Sequence, residues 1–187
     1  MATPKDFGFT EDISMLKDTF AKFLSEQKTI ENLRPSLKGT EDPYHGDQRS
    51  AFYDPQSWQQ TVELGIHAVS IPEDQGGIGM GLVAATAIAE EIGRYALATP
   101  LTNTLLATFL LRAIDSPEGN ALLEAMAGGT RVGIALDGED ASLEGDSTDV
   151  RVEDGKLQGQ SWYVTDAQKS EILIVAAESA EGVDLYR

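Results

Sequence analysis

Apolar positions in the N-terminal part of the chain recur every three to four residues, the period of a helix with one buried face. Ile13, Leu16, Phe20, Phe23 and Leu24 follow Thr10, a good N-cap, with Glu11 and Asp12 in a first turn where acids complement the helix dipole. Pro35 closes this region, and residues 38–50 (KGTEDPYHGDQRS) are polar and turn-forming. Asp54-Pro55 predicts the cap and first residue of a helix that carries Trp58 and Val62 and stops near Gly65. Leu82, Val83, Ile88 and Ile92 predict another helix through Tyr95, with Ala84, Ala85, Ala87 and Ala89 small enough for close helix approach. Pro100 opens a helix with Leu105, Leu106, Phe109, Leu110 and Ile114. Ser116-Pro117-Glu118 repeats the cap-plus-proline start, and Gly128-Gly129 ends the short helix that follows.

The period then shortens. Residues 131–136, 149–152, 156–164 and 171–177 read as strands, with Glu153-Asp154-Gly155 a hairpin turn. Helices first and strands second predict an α+β chain: an all-helical domain over residues 1–129, then a partial β-domain over residues 130–187. Residues 182–187 read as the opening of a further strand. Four strands need a second layer that no later segment supplies, so the chain is expected to be a fragment or to be completed by other chains.

Residues 64–81, LGIHAVSIPEDQGGIGMG, hold a helix end, an apolar run, a proline stop and Gly65, Gly76, Gly77, Gly79 and Gly81. A helix follows, and a helix N-terminus can hold phosphate. The spacing is not GxGxxG, and no βαβ unit surrounds it, so a tight structural turn is the better reading.

Composition narrows the chemistry. The chain has no cysteine, which excludes disulfides, thiolate metal sites and a Cys nucleophile, and fits a reducing, cytoplasmic setting. No apolar run approaches the roughly 18 residues of a membrane span, and no basic-then-apolar secretory leader is visible. A net charge of −17 argues against a phosphate-neutralising nucleic-acid face. His45 sits in the polar loop and His67 in an apolar run, neither at metal-ligand or catalytic-triad spacing. No HExxH, GxSxG or P-loop is present. Residues 159–167 place Trp162 and Tyr163 beside Thr165, which can flank a planar cofactor or lie on two faces of one strand; on this segment alone the strand reading is favoured.

Taken together, these stretches resemble the acyl-CoA dehydrogenase family. Leu64-Gly65-Ile66 and Ile71-Pro72-Glu73-Asp74-Gln75-Gly76-Gly77-Ile78-Gly79 look like its LG(l/i)…vPEeyGGlG signature, and Ala87-Ile88-Ala89-Glu90-Glu91-Ile92-Gly93-Arg94 is similar to its aEElgr helix. The resemblance implies a helical N-terminal domain, a middle β-barrel and a C-terminal helical domain, the last absent here. It implies FAD and an acyl-CoA substrate, with a carboxylate base taking the α-proton while the β-hydrogen leaves as hydride, giving a trans-2-enoyl-CoA. It also implies homologous subunits in a tetramer, in some bacterial steroid-type relatives an α2β2 heteromer, and an electron-transfer flavoprotein or similar acceptor.

Carry-over to individual residues is partial. The family's Trp-Ile-Thr flavin motif maps onto Tyr163-Val164-Thr165. Its Y-x-x-T-E-P-x-x-G-S-D run falls on residues 133–142, where the Tyr is Gly133, the Thr is Leu136, and Ser142 alone matches the Gly-Ser pair. The catalytic Glu lies in the C-terminal domain, so no residue here inherits that role. Between Leu136 and Gly155 stand eight acids, Asp137, Glu139, Asp140, Glu144, Asp146, Asp149, Glu153 and Asp154, against Arg151 alone. A pyrophosphate beside them meets like charge at about 1–4 kcal/mol per close pair in partly desolvated surroundings. The expectation is a degenerate partner subunit of a heteromeric acyl-CoA dehydrogenase, inactive alone; the alternative is a non-catalytic binding or scaffold module that kept the fold and lost FAD.

Overall fold

The computed structural model describes residues 8–27, 54–141 and 148–187. Pro35, the polar loop 38–50, His45 and Ser142 lie outside the described residues. Among the described residues, five α-helices come first: α1 (Glu11–Gln27), α2 (Pro55–Glu63), α3 (Leu82–Arg94), α4 (Leu101–Ile114) and α5 (Pro117–Ala127). Among the described residues, five strands follow: β1 (Val132–Ala135), β2 (Val150–Glu153), β3 (Lys156–Gly159), β4 (Ile172–Ser179) and β5 (Gly182–Tyr186). The class is α+β, as the change of period indicates.

The caps act as their chemistry requires. Thr10 Oγ1 accepts from the Ile13 amide at 3.3 Å. Asp54 accepts from the Gln56 and Ser57 amides, and Ser116 Oγ from the Gly119 amide. Asp154 and Gly155, at φ 52° and 71°, make the tight β2–β3 hairpin with Glu153 opposite Lys156.

Two apolar cores organise these elements. The first holds Ile13, Phe20 and Leu24 of α1, Ile88 and Ile92 of α3, and Leu101 and Leu105 of α4. The second holds Ala107 and Leu111 of α4, Leu122, Leu123 and Met126 of α5, and Val132 and Ile174 of the sheet. Residues 66–71 lie between them: Ile66 and Val69 enter the first core, Ala68 and Ile71 the second. Each buried side chain of this size contributes about 1.5–3 kcal/mol.

The glycine-rich stretch is therefore a structural turn. The amides of Gly76, Gly77, Ile78, Gly79 and Met80 donate to the carbonyls of Glu73, Pro72, Ala68, Ile71 and Val69 at 2.8–3.1 Å. Five consecutive amides are spent inside the loop, which leaves none of them to cradle phosphate. Gly77 is needed for close approach, since a Cβ there would stand 2.1 Å from the Ile71 carbonyl oxygen. The loop is also tied outward: Arg112 donates to the Ser70 carbonyl at 3.1 Å and Gln75 to Asn120 at 2.8 Å.

The Glu-Glu pair of α3 is structural too. Glu91 is fully buried and faces Lys17 at 3.5 Å and Arg94 at 3.6 Å, while Glu90 holds Lys17 at 2.6 Å from the rim. His67 is buried, donates through Nε2 to the Ala127 carbonyl at 3.0 Å, and sits edge-on to Trp58.

In the sheet, β4 is the hub. β5 runs antiparallel along it, from Val175 opposite Tyr186 to Ser179 opposite Gly182. β1 runs parallel to its first half, Val132 opposite Ile172, and β2 meets its end at Arg151 opposite Glu178. Alternation sorts the faces: Val132, Ile134, Ile172 and Ile174 pack on the helices, while Ala135, Leu173 and Val175 point the other way. So α4 and α5 supply one of the layers that the sequence alone seemed to lack.

One strand is shorter than its pattern. Residues 156–164 predict a single strand, but β3 ends at Gly159. Gly159 has φ 134° and a Cβ there would lie 2.1 Å from the Asp149 carbonyl oxygen. Beyond it the chain turns, and Trp162 keeps only a bridge to Asp137.

Two outcomes follow. Gly77→Ala is expected to cost about 3 kcal/mol by forcing the Ile71 backbone to move, against a neutral or slightly stabilising Gly93→Ala, whose added Cβ meets nothing within 4 Å. Thermal melts of both variants check this, and a Gly77→Ala protein as stable as the parent contradicts it. Burial lowers the His67 pKa from its ordinary 6.5, the main cause being desolvation. A depressed histidine gives stability that is complete above the unfolded pKa and is lost as pH falls below about 6.5. Melts at about pH 7.5 and about pH 5.5 should show a larger acid loss in the parent than in His67→Gln.

Candidate functional site

Two loops meet beside the sheet. One follows β1 (residues 136–141) and the other follows β3 (residues 160–169). The Trp162 amide donates to the Asp137 carbonyl at 3.0 Å, and Ser161 Oγ donates to the same oxygen at 3.2 Å. Tyr163 OH donates to the Glu139 carbonyl at 3.2 Å. The structure thus brings Leu136 and Tyr163-Val164-Thr165, far apart in sequence, onto adjoining loops.

Their side chains take different settings. Tyr163 is 66% exposed and Leu136 is exposed beside β1. Thr165 is exposed, whereas Val164 is half-buried. Val164 lines a cavity of about 360 Å³ with Ala135, Val150, Leu157, Leu173 and Val175, the sheet face turned from the helices. Tyr163 and Thr165 therefore offer an aromatic ring and a hydroxyl at the surface.

The turn carrying them is conformationally costly. Tyr163 and Asp166 have φ of 54° and 55°, a region that non-glycine residues seldom occupy. Side-chain ties hold it on three sides. Asn103 of α4, itself buried, donates to the Thr165 carbonyl. Lys169 pairs with Asp166, and Ser170 Oγ donates to the Asp166 carbonyl at 3.2 Å. Tyr163 OH closes the third side on Glu139. Asn103 and Ser170 escape sequence reasoning. The available signal for Asn103 is a polar side chain among the apolar positions of α4.

The electrostatics are one-sided. Asp149 accepts from the Glu139 amide at 2.8 Å, so Asp137, Glu139, Asp140 and Asp149 crowd one loop. The nearby cations are engaged, Lys169 with Asp166 and Arg131 with Glu171 at 3.0 Å. At Gly133 a Cβ would meet Ser170 Oγ at 2.5 Å and Leu173 Cδ2 at 2.8 Å, so neighbouring side chains fill the space a larger residue would need there. Glu144 and Asp146 fall outside the described residues.

The acidic loop makes this surface a poor setting for a pyrophosphate. Tyr163 and Thr165 can face a ring and bond its polar edge; the acidic loop opposes a diphosphate.

Residues 10–129 match the family described as Acyl-CoA dehydrogenase, N-terminal domain. The chain belongs to the acyl-CoA dehydrogenase family. It is 29% identical over 161 residues to the acyl-CoA dehydrogenase IpdE2 of Mycolicibacterium smegmatis, covering 85% of this chain and 47% of that protein. Among solved structures it shares the fold of the ChsE4-ChsE5 complex from Mycobacterium tuberculosis, with a TM-score of 0.75 and 24% identity over 97% of this chain and 48% of that one. It also shares the fold of an acyl-CoA dehydrogenase complexed with FAD from Bacillus anthracis, with a TM-score of 0.70 and 20% identity over 100% of this chain and 31% of that one. The chain spans about half the length of the relative IpdE2. Among the described residues no helix is long and apolar enough to cross a membrane.

Thr165→Val tests the hydroxyl. If it bonds flavin, the variant should lose about 0.5–1.5 kcal/mol of binding, about a 3- to 10-fold weaker retention in the assembled complex, with an unchanged melting temperature. Unchanged flavin content makes Thr165 an ordinary loop residue.

Proposed function

We propose that this chain is the degenerate partner subunit of a heteromeric, FAD-dependent acyl-CoA dehydrogenase acting on an acyl-CoA thioester. Residues 1–129 are its helical domain and residues 130–187 part of its middle β-domain. The single observation that carries the reading is the meeting of the 136–141 and 160–169 loops, which sets the exposed Tyr163 and Thr165 next to a strongly acidic loop. The first half of that surface suits the ring of a flavin; the second half repels its diphosphate. A cofactor held mainly by a homologous subunit and only walled by this chain reconciles the two.

Within such a site, bound flavin supplies the two-electron acceptor that dehydrogenation of a saturated C–C bond requires. The roles left to this chain are structural. Tyr163 would cover an aromatic face of the bound ring and Thr165 would offer its hydroxyl to a polar edge, while Val164 anchors the loop in the apolar cavity. The acids of the loop hold competing anions away. No described residue here serves as the base. The assembly is an α2β2 tetramer with acyl-CoA as substrate and an electron-transfer flavoprotein or similar acceptor, working in the cytoplasm.

The acidic loop also favours a second reading, a scaffold module that kept the fold and lost FAD altogether. Turnover separates the two. The full-length subunit carrying this chain, mixed with its homologous partner and an artificial electron acceptor, is expected to oxidise an acyl-CoA, while either protein alone stays near background. A complex that oxidises no acyl-CoA of any chain class contradicts the proposal.

A further inference from the structure

The helix α4 crosses both apolar cores, with Leu101 and Leu105 in the first and Ala107 and Leu111 in the second. Asn103 lies between those anchors and is 5% exposed. A buried amide on such a helix needs a partner, and its partner is the Thr165 carbonyl, 62 residues away on the 160–169 loop. A carbonyl oxygen only accepts, so the Asn103 side chain must present its N–H₂ there. The two residues that flank this contact, Tyr163 and Asp166, hold φ of 54° and 55°. A loop held in that region persists only where its surroundings over-determine it. Among the described residues, Asn103 ties this loop to a helix, while Arg131, just before β1, donates from Nε to the Lys169 carbonyl at 2.8 Å.

We propose that Asn103 is a positioning residue: it latches the Thr165 backbone to the helical core and so sets where Tyr163 and Thr165 meet the flavin ring. This rests on the flavin-wall reading above. The rigid position of α4 between two cores is thereby transmitted to a loop that local sequence disfavours. Asn103 itself reaches only the Thr165 carbonyl, so its effect runs through the loop geometry. A latch of this kind predicts a local signature that general destabilisation does not give. Loss of the amide donor should free the loop while α4 and β4 stay protected.

The test uses the assembled complex with Asn103→Leu, and Asn103→Asp as the isosteric variant that turns the donor into an acceptor. Hydrogen exchange of the amides in residues 163–169 is expected to quicken about tenfold, with α4 and β4 amides unchanged. Flavin retention should weaken at least severalfold, with the melting temperature of at least one variant close to the parent's. Unchanged exchange in residues 163–169 overturns the latch. Faster exchange with parental flavin retention overturns the positioning role while leaving the flavin-wall reading intact. A parent complex that carries no flavin overturns that reading and this inference together.

Discussion

Residues 66–71 hold the two cores in one piece. Ile66 and Val69 face α1, α3 and α4; Ala68 and Ile71 face α4, α5 and the sheet. Ile66–Ala68 is a tight 3-10 turn, and over it the chain sends Ile66 to one core and Ala68 to the other. The loop that follows must then fold back on it. Its amides return to Ala68, Val69 and Ile71, and Gly77 packs against the Ile71 carbonyl. α4 is tied to this stretch where Arg112 donates to the Ser70 carbonyl, and the same helix carries Asn103 to Thr165.

The candidate site inherits both its order and its limits from that frame. Tyr163 and Asp166 occupy an unfavourable backbone region, which costs free energy that the Asn103, Lys169, Ser170 and Tyr163 hydrogen bonds offset. The acids around Asp137 and Asp149 cost little while solvated, and they become costly only if a phosphate approaches in a drier setting. On the proposed reading both features are compatible with catalysis, because a shared cofactor would keep its diphosphate with another subunit.

Local chemistry made much of this legible. Thr10, Asp54 and Ser116 cap helices because their side chains reach amides two or three residues on, and Asp154-Gly155 turns because both adopt positive φ. The glycine-rich stretch was readable as a turn from its spacing, though not the contact that makes Gly77 necessary. Residues 156–164 misled because the strand-favouring Trp162, Tyr163 and Val164 lie past Gly159, while the strand itself stops there: the Asp149 carbonyl leaves no room for a side chain at Gly159. Asn103 was hidden because its meaning lies in a partner 62 residues away. The covering of the sheet by α4 and α5 was hidden for the same reason, since a helix shows its apolar face in sequence and not what it packs on.

The central claim is that the flavin site is shared and that this chain supplies only a wall of it. Flavin absorbance per mole of protein measures this directly, in the isolated full-length subunit carrying this chain and again with its homologous partner. A shared site predicts little flavin in the isolated subunit and one flavin per heterodimer in the complex. Full stoichiometric flavin in the isolated subunit would contradict it.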